Sequence, residues 1–194
     1  MTKVAVVFAD GCEEVEGLSI IDVLRRLNVT ADMVGLTQIE VSGDHHIKLT
    51  CDKVVDDSLL DYDLVAFPGG KIGAENLRDN AKLRSLMVKR HKNGQWDAAM
   101  CAAPIALARY GILNDANYTC YPGFDQQTKK DAPTGHFKEQ ITVTDKQHKV
   151  LTSRGPATAW AFAYAIAEAV GIDTAALKEG MLYNYLADNI QASL

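Results

Sequence analysis

Cys101 lies between an apolar segment, Trp96 to Met100, and a helix-prone one, Pro104 to Tyr110. Ala102 and Ala103 follow it. A tight strand-to-helix turn needs such small neighbours, exposes its central side chain and aims helix amides at it. Amides of that kind favour a thiolate, the form that attacks carbonyl carbon or is oxidised. The plainer alternative is a packing residue, because free cysteines are among the most buried side chains. Cys12, Cys51 and Cys120 read as packing or loop residues of that kind.

Three other groups could serve Cys101. Pro68-Gly69-Gly70 ends an apolar run, where glycine lets backbone N–H groups approach a ligand; an ordinary turn would look the same. Glu13, Glu14 and Glu16 follow the first apolar run. Glu13 and Glu14 suit the positive end of a helix dipole. Glu16 could instead point at the thiol, and a protonated carboxyl there would donate a hydrogen bond where a second charge would repel. Ser153-Arg154-Gly155-Pro156 could bind a carboxylate or phosphate, or be a surface arginine before a helix. His45 and His46 are consecutive, so in a strand they face opposite ways and chelate poorly together. No CxxC, HExxH, P-loop or GxGxxG pattern is present, so neither a metal nor a cofactor is expected.

These residues need a scaffold. Lys3 to Phe8 and Asp63 to Phe67 are continuous apolar runs, the pattern of parallel strands buried on both faces. Asp32 to Leu36, Trp96 to Met100 and Tyr118 to Cys120 also read as strands. Ile39 to Val41 and Ile47 to Thr50 flank a polar turn, and Ile141 to Thr144 with Val150 to Thr152 form a hairpin pattern. Helical spacing covers Glu13 to Leu27, Ala74 to Leu77, Ala81 to His91, Thr158 to Val170 and Thr174 to Asp188. Helices alternating with buried strands predict a doubly wound α/β sheet. No repeat or linker divides residues 1–194, which suggests one domain.

Composition narrows the function. The 194 residues are 47% hydrophobic and 23% charged, and the net charge of −5 with no basic run argues against nucleic-acid binding. Four cysteines are too few for a disulfide scaffold. The most apolar helical stretch, Ala157 to Val170, contains Glu168 and is shorter than the ~20 residues of a bilayer span. No secretory pattern opens the chain, so a cytoplasmic location is the expectation.

Four segments together resemble the ThiJ/PfpI superfamily: VAVVFADGCEEVEG (4–17), YDLVAFPGGKIGAENLRD (62–79), AAMCAAPIAL (98–107) and VLTSRGPATAWAFAYAIAEAV (150–170). Within it, the chain is most similar to the parkinsonism-associated deglycase branch and its bacterial relatives. The resemblance implies a flavodoxin-like sheet with helices on both faces, a class I glutamine amidotransferase-like domain, and a homodimer. It implies that Cys101 is the oxidisable nucleophile, Glu16 its protonated partner, and the amides of Gly70 and Ala102 the oxyanion site, with Gly69 and Arg154 nearby. Ala102 stands where peptidase members carry histidine, which argues against a peptidase. Tyr121, before Pro122, stands where some deglycase-branch members carry histidine. His45 or His46 falls in the region where some relatives carry an anion-binding arginine. The implied activity is cofactor-free conversion of a small reactive 2-oxoaldehyde, as a glutathione-independent glyoxalase or deglycase with a role in oxidative stress. The alternatives are a redox sensor or chaperone using an oxidisable Cys101, and another small-molecule hydrolase of the superfamily.

Overall fold

A computed structural model describes residues 2–190. The central strands are β1 (Lys3–Phe8), β2 (Thr30–Gly35), β5 (Lys53–Val54), β6 (Leu64–Phe67), β7 (Trp96–Met100), β10 (Thr142–Asp145) and β11 (Val150–Ser153). They form one sheet in the order β10-β11-β7-β6-β1-β2-β5. All pairings are parallel except that of β10 with β11. Every residue of β6, β7 and β11 is buried, as apolar runs covered on both faces require.

The connecting helices are α1 (Glu14–Arg26), α2 (Lys71–Asp79), α3 (Ala81–Lys92), α4 (Pro104–Arg109) and α6 (Ala159–Ala169). The step from β1 to β2 runs one way across the sheet, and the step from β6 to β7 runs the other. Right-handed crossovers in opposite directions put their helices on opposite faces. Accordingly α1 packs on α6, while α2 packs on α4. The order reverses beside β1, and in such sheets the crevice beyond the strands' carboxyl ends at that point is where ligands bind. Phe8, Phe67 and Met100 end their strands there.

Two smaller pairs complete the fold. Strands β3 (Glu40–Ser42) and β4 (Lys48–Thr50) form the expected antiparallel hairpin, with its first strand one residue later than the apolar pattern suggested. Strands β8 (Asn117–Tyr118) and β9 (His136–Phe137) pair in parallel and enclose helix α5 (Asp125–Asp131). Neither β9 nor α5 was anticipated. The sequence of α5, DQQTKKD, has no apolar stripe to betray a helix.

The last predicted helix is in fact two, α7 (Ala175–Gly180) and α8 (Tyr183–Asn189). Leu182 takes a left-handed φ of 58° between them. Gly180 weakens the helix there, and packing back onto α6 offsets the kink: Tyr183 meets the Tyr164 ring edge-on at 4.9 Å.

Candidate active site

Three chain segments meet beyond the ends of β1, β6 and β7. The first brings Glu16. Gly17 allows it, because a Cβ there would lie 2.2 Å from the Phe8 ring, so only glycine lets α1 settle this close to β1. The glutamate side chain is then fully buried. The second segment is the Pro68-Gly69-Gly70 turn. The Gly69 amide donates to Glu16 Oε2 at 2.6 Å, and the Glu13 amide donates to the Gly69 carbonyl at 3.0 Å. A Cβ on Gly69 would lie 2.6 Å from the Cys101 Cβ and 2.9 Å from Glu16 Oε2. The three segments therefore need glycine at this position.

The third segment is the turn after β7. Cys101 has φ +58°, a left-handed conformation that costs free energy for a side-chain-bearing residue. Backbone bonds on both sides hold it. Its amide donates to the Ser153 carbonyl at 3.0 Å, and its carbonyl accepts from the Tyr121 amide at 2.8 Å. The turn is thus the strained elbow that the small neighbours predicted. It does not expose the thiol as expected, for Cys101 is only 7% accessible. Cys12, Cys51 and Cys120 are more deeply buried still. Burial also pushes the Cys12 and Cys120 thiols up to about 12 and that of Cys51 to about 11.

Electrostatics at the elbow pull in two directions. Burial pushes the Cys101 thiol up, and an ionised Glu16 beside it pushes further. The amides of Gly70 and Ala102 donate toward the sulfur and oppose the rise. Burial also raises the Glu16 carboxyl to about 7, against the hydrogen bonds from Gly69 and Cys101. Its Oε1 is buried without a hydrogen-bond acceptor or donor partner, a place where a proton relieves an unsatisfied charge. Two acids this close titrate as a pair.

The remaining expected residues are placed less centrally. Tyr121 is tethered to the elbow by its amide, but its ring leans on Gly155 and edge-on against Phe124. Arg154 turns outward to Glu139, 3.4 Å away, and lies over the Phe137 ring. His46 is an exposed turn residue at φ +63°.

His45 and Glu14 have a role that the sequence did not disclose. Glu14 is not a solvated helix-start carboxylate. It is 3% accessible and accepts from the His45 amide at 2.8 Å, His45 Nδ1 at 2.9 Å and the Ile47 amide at 3.4 Å. Burial raises its pKa, but these bonds outweigh it and hold the carboxyl below the usual range. The β3–β4 turn is thereby fastened over the start of α1. Glu13, Asp44 and His45 offer ligand atoms within 4.8 Å of one another, as a metal site would, although the imidazole is already committed to Glu14 and the group is largely exposed. Among the described residues no helix is long and apolar enough to cross a membrane.

Known proteins share this fold. The DJ-1/PfpI family model matches residues 2–169. The Parkinson disease protein 7 homolog of Danio rerio is 32% identical over 170 residues, 86% of this chain and 88% of that protein. A Caenorhabditis elegans protein named glutathione-independent glyoxalase DJR-1.2 is 30% identical over 172 residues, 82% of this chain and 83% of its own. The crystal structure of Drosophila melanogaster DJ-1beta superimposes with a TM-score of 0.85 at 28% identity, covering 93% of this chain and 97% of that one. The chain belongs to the DJ-1/PfpI family.

Proposed function

We propose that this DJ-1/PfpI family member is a cysteine-dependent, cofactor-free enzyme acting on small 2-oxoaldehydes, as a single domain over residues 1–194. The observation that carries the proposal is the pairing of Cys101 with a buried, proton-retaining Glu16 under two converging amides. The Cys101 thiolate attacks the aldehyde carbon of methylglyoxal and forms a hemithioacetal. The amides of Gly70 and Ala102 stabilise the oxyanion. Glu16 first gives its own proton to that oxyanion, and the carboxylate so formed takes the proton from the former aldehyde carbon and returns it to the neighbouring ketone carbon through an enediol, leaving a thioester. Water hydrolyses the thioester to lactate and restores the thiol. Gly69 holds Glu16 at the elbow, and Tyr121 and Arg154 lie outside the reacting centre. The similarity to a protein named glutathione-independent glyoxalase favours this chemistry over hydrolysis of glycated amines.

The exposed apolar side chains Val15 and Leu18 on α1 favour a homodimer built on that helix. A cytoplasmic location belongs to the same proposal, as does the absence of nucleic-acid and membrane partners.

The test is conversion of methylglyoxal to lactate without glutathione, by wild type and by Cys101→Ser. Lactate is expected from wild type, with at least a ~100-fold loss in the variant. No lactate from folded, reduced wild type would overturn the proposal. Tyr121, where some deglycase-branch members carry histidine, favours a second function, oxidation of Cys101 by two equivalents of a peroxide, through the sulfenic acid, to a sulfinic acid held by Glu16 and the same amides. That would then become the leading account.

A further inference from the structure

Helices α2 and α4 both begin beside the amides that face Cys101. Both end, at their opposite tips, in arginine: Arg78 in the last turn of α2 and Arg109 in the last turn of α4. The nine residues of α2 put about 13 Å between those tips. A cavity of about 580 Å³ opens there, distinct from the Cys101 site. Its lining includes Arg78, Arg84, Arg109, Asn80, Ser85 and Val88.

Charge sets this cavity apart from the rest of the molecule. The chain as a whole carries −5. The cavity is lined by three arginines and a single carboxylate, Asp79. Helix dipoles explain two of the arginines, since cations suit helix C-termini. Arg78 is also held by Asp79 at 2.7 Å, and Arg109 by Asp131 at 3.1 Å. Arg84 has neither explanation. It lies in the first turns of α3, where the dipole disfavours a cation, and that helix has no acidic residue in its first turn. Among the described residues it has no carboxylate partner.

We propose that this cavity is a second binding site, taking a small molecule that carries a phosphomonoester. Arg84 supplies the uncommitted guanidinium, whose planar fork matches a phosphate in two parallel hydrogen bonds. Arg109 completes the charge by sharing its guanidinium between Asp131 and the ligand. The side chain of Asn80 caps α3 through Oδ1, bonded to the Leu83 amide at 2.9 Å, which leaves its NH2 group to donate. Ser85 adds a hydroxyl, and Val88 gives an apolar wall for the carbon skeleton of the ester.

The experiment is calorimetric titration of the full chain with glycerol 3-phosphate, at fixed ionic strength in chloride, with inorganic phosphate as competitor. Saturable one-to-one binding is expected, displaced by inorganic phosphate. Arg84→Gln should weaken it about tenfold, and Arg84→Gln with Arg109→Gln should abolish it. Lys48→Gln, an exposed cation on β4, should leave it unchanged. Both arginines are solvent-facing, so unchanged circular dichroism is expected for every variant. No saturation by either compound would overturn the proposal, as would equal affinity in the arginine variants.

Discussion

Cys101 and Glu16 act as one acid–base unit, and burial is the reason. In water a glutamate would ionise well before a thiol. Here the carboxyl is raised to about 7 by burial, and both groups compete for the proton that remains. A thiolate facing a carboxylic acid is the reactive arrangement, because the acid donates to the sulfur and the second charge is avoided. Glu16→Gln keeps an acceptor for the Gly69 amide but replaces a strong donor by a weak one. Alkylation of Cys101 at pH 6, where Glu16 keeps its proton, followed by peptide mass, should slow about three- to tenfold in that variant. Acceleration would mean that Glu16 holds the charge itself and repels the thiolate. Cys101 and the small residues around the elbow were legible because turn chemistry is local, whereas Glu16 was one of three acidic candidates that only the family resemblance singled out. The depth of the thiol was not legible, since burial depends on the Gly69 turn and on Glu16 arriving from distant segments.

At the scale of elements, short polar side chains fasten segments that have little core of their own. Asp145 on β10 accepts from the Asn117 amide at 2.8 Å, Asn117 Nδ2 at 3.0 Å and the His148 amide at 3.0 Å. Burial opposes its ionisation, but these bonds prevail and hold the carboxyl well below the usual range. Strand β8 has two residues, so this anchor matters more to it than to a longer strand. Asp145→Ala should cost about 2 kcal/mol in urea unfolding, because it leaves the Asn117 amide without an acceptor. A loss below about 0.5 kcal/mol would show that solvent takes over the amide. Glu14 does the same for the β3–β4 turn. Neither clamp could be found by periodicity, because each joins residues about thirty positions apart through one carboxylate.

Over the whole molecule, the buried acid couples folding to pH. The folded chain keeps the Glu16 proton to about 7, whereas an unfolded glutamate releases it near 4.5. Between those values the native state binds more protons, so stability falls as pH rises. The Glu16 contribution amounts to about 3 kcal/mol across that window. Chemical denaturation from pH 4 to pH 8 should therefore show a wild-type decline that Glu16→Gln lacks. Parallel profiles would mean that Glu16 titrates normally in the fold. The sequence alone determined the order of the longer strands and helices, though not β5, α5, β9 or the break between α7 and α8, because apolar runs and 3.6-residue spacing report local burial demands. It also pointed to the family, because four separated motifs resemble it, and the family model matches residues 2–169. Tertiary structure decided which charges meet. It drew Glu16 onto Cys101, turned Arg154 toward Glu139, and left Arg84 without a carboxylate partner among the described residues. Such distances between side chains far apart in the chain are fixed only when helices pack across the sheet.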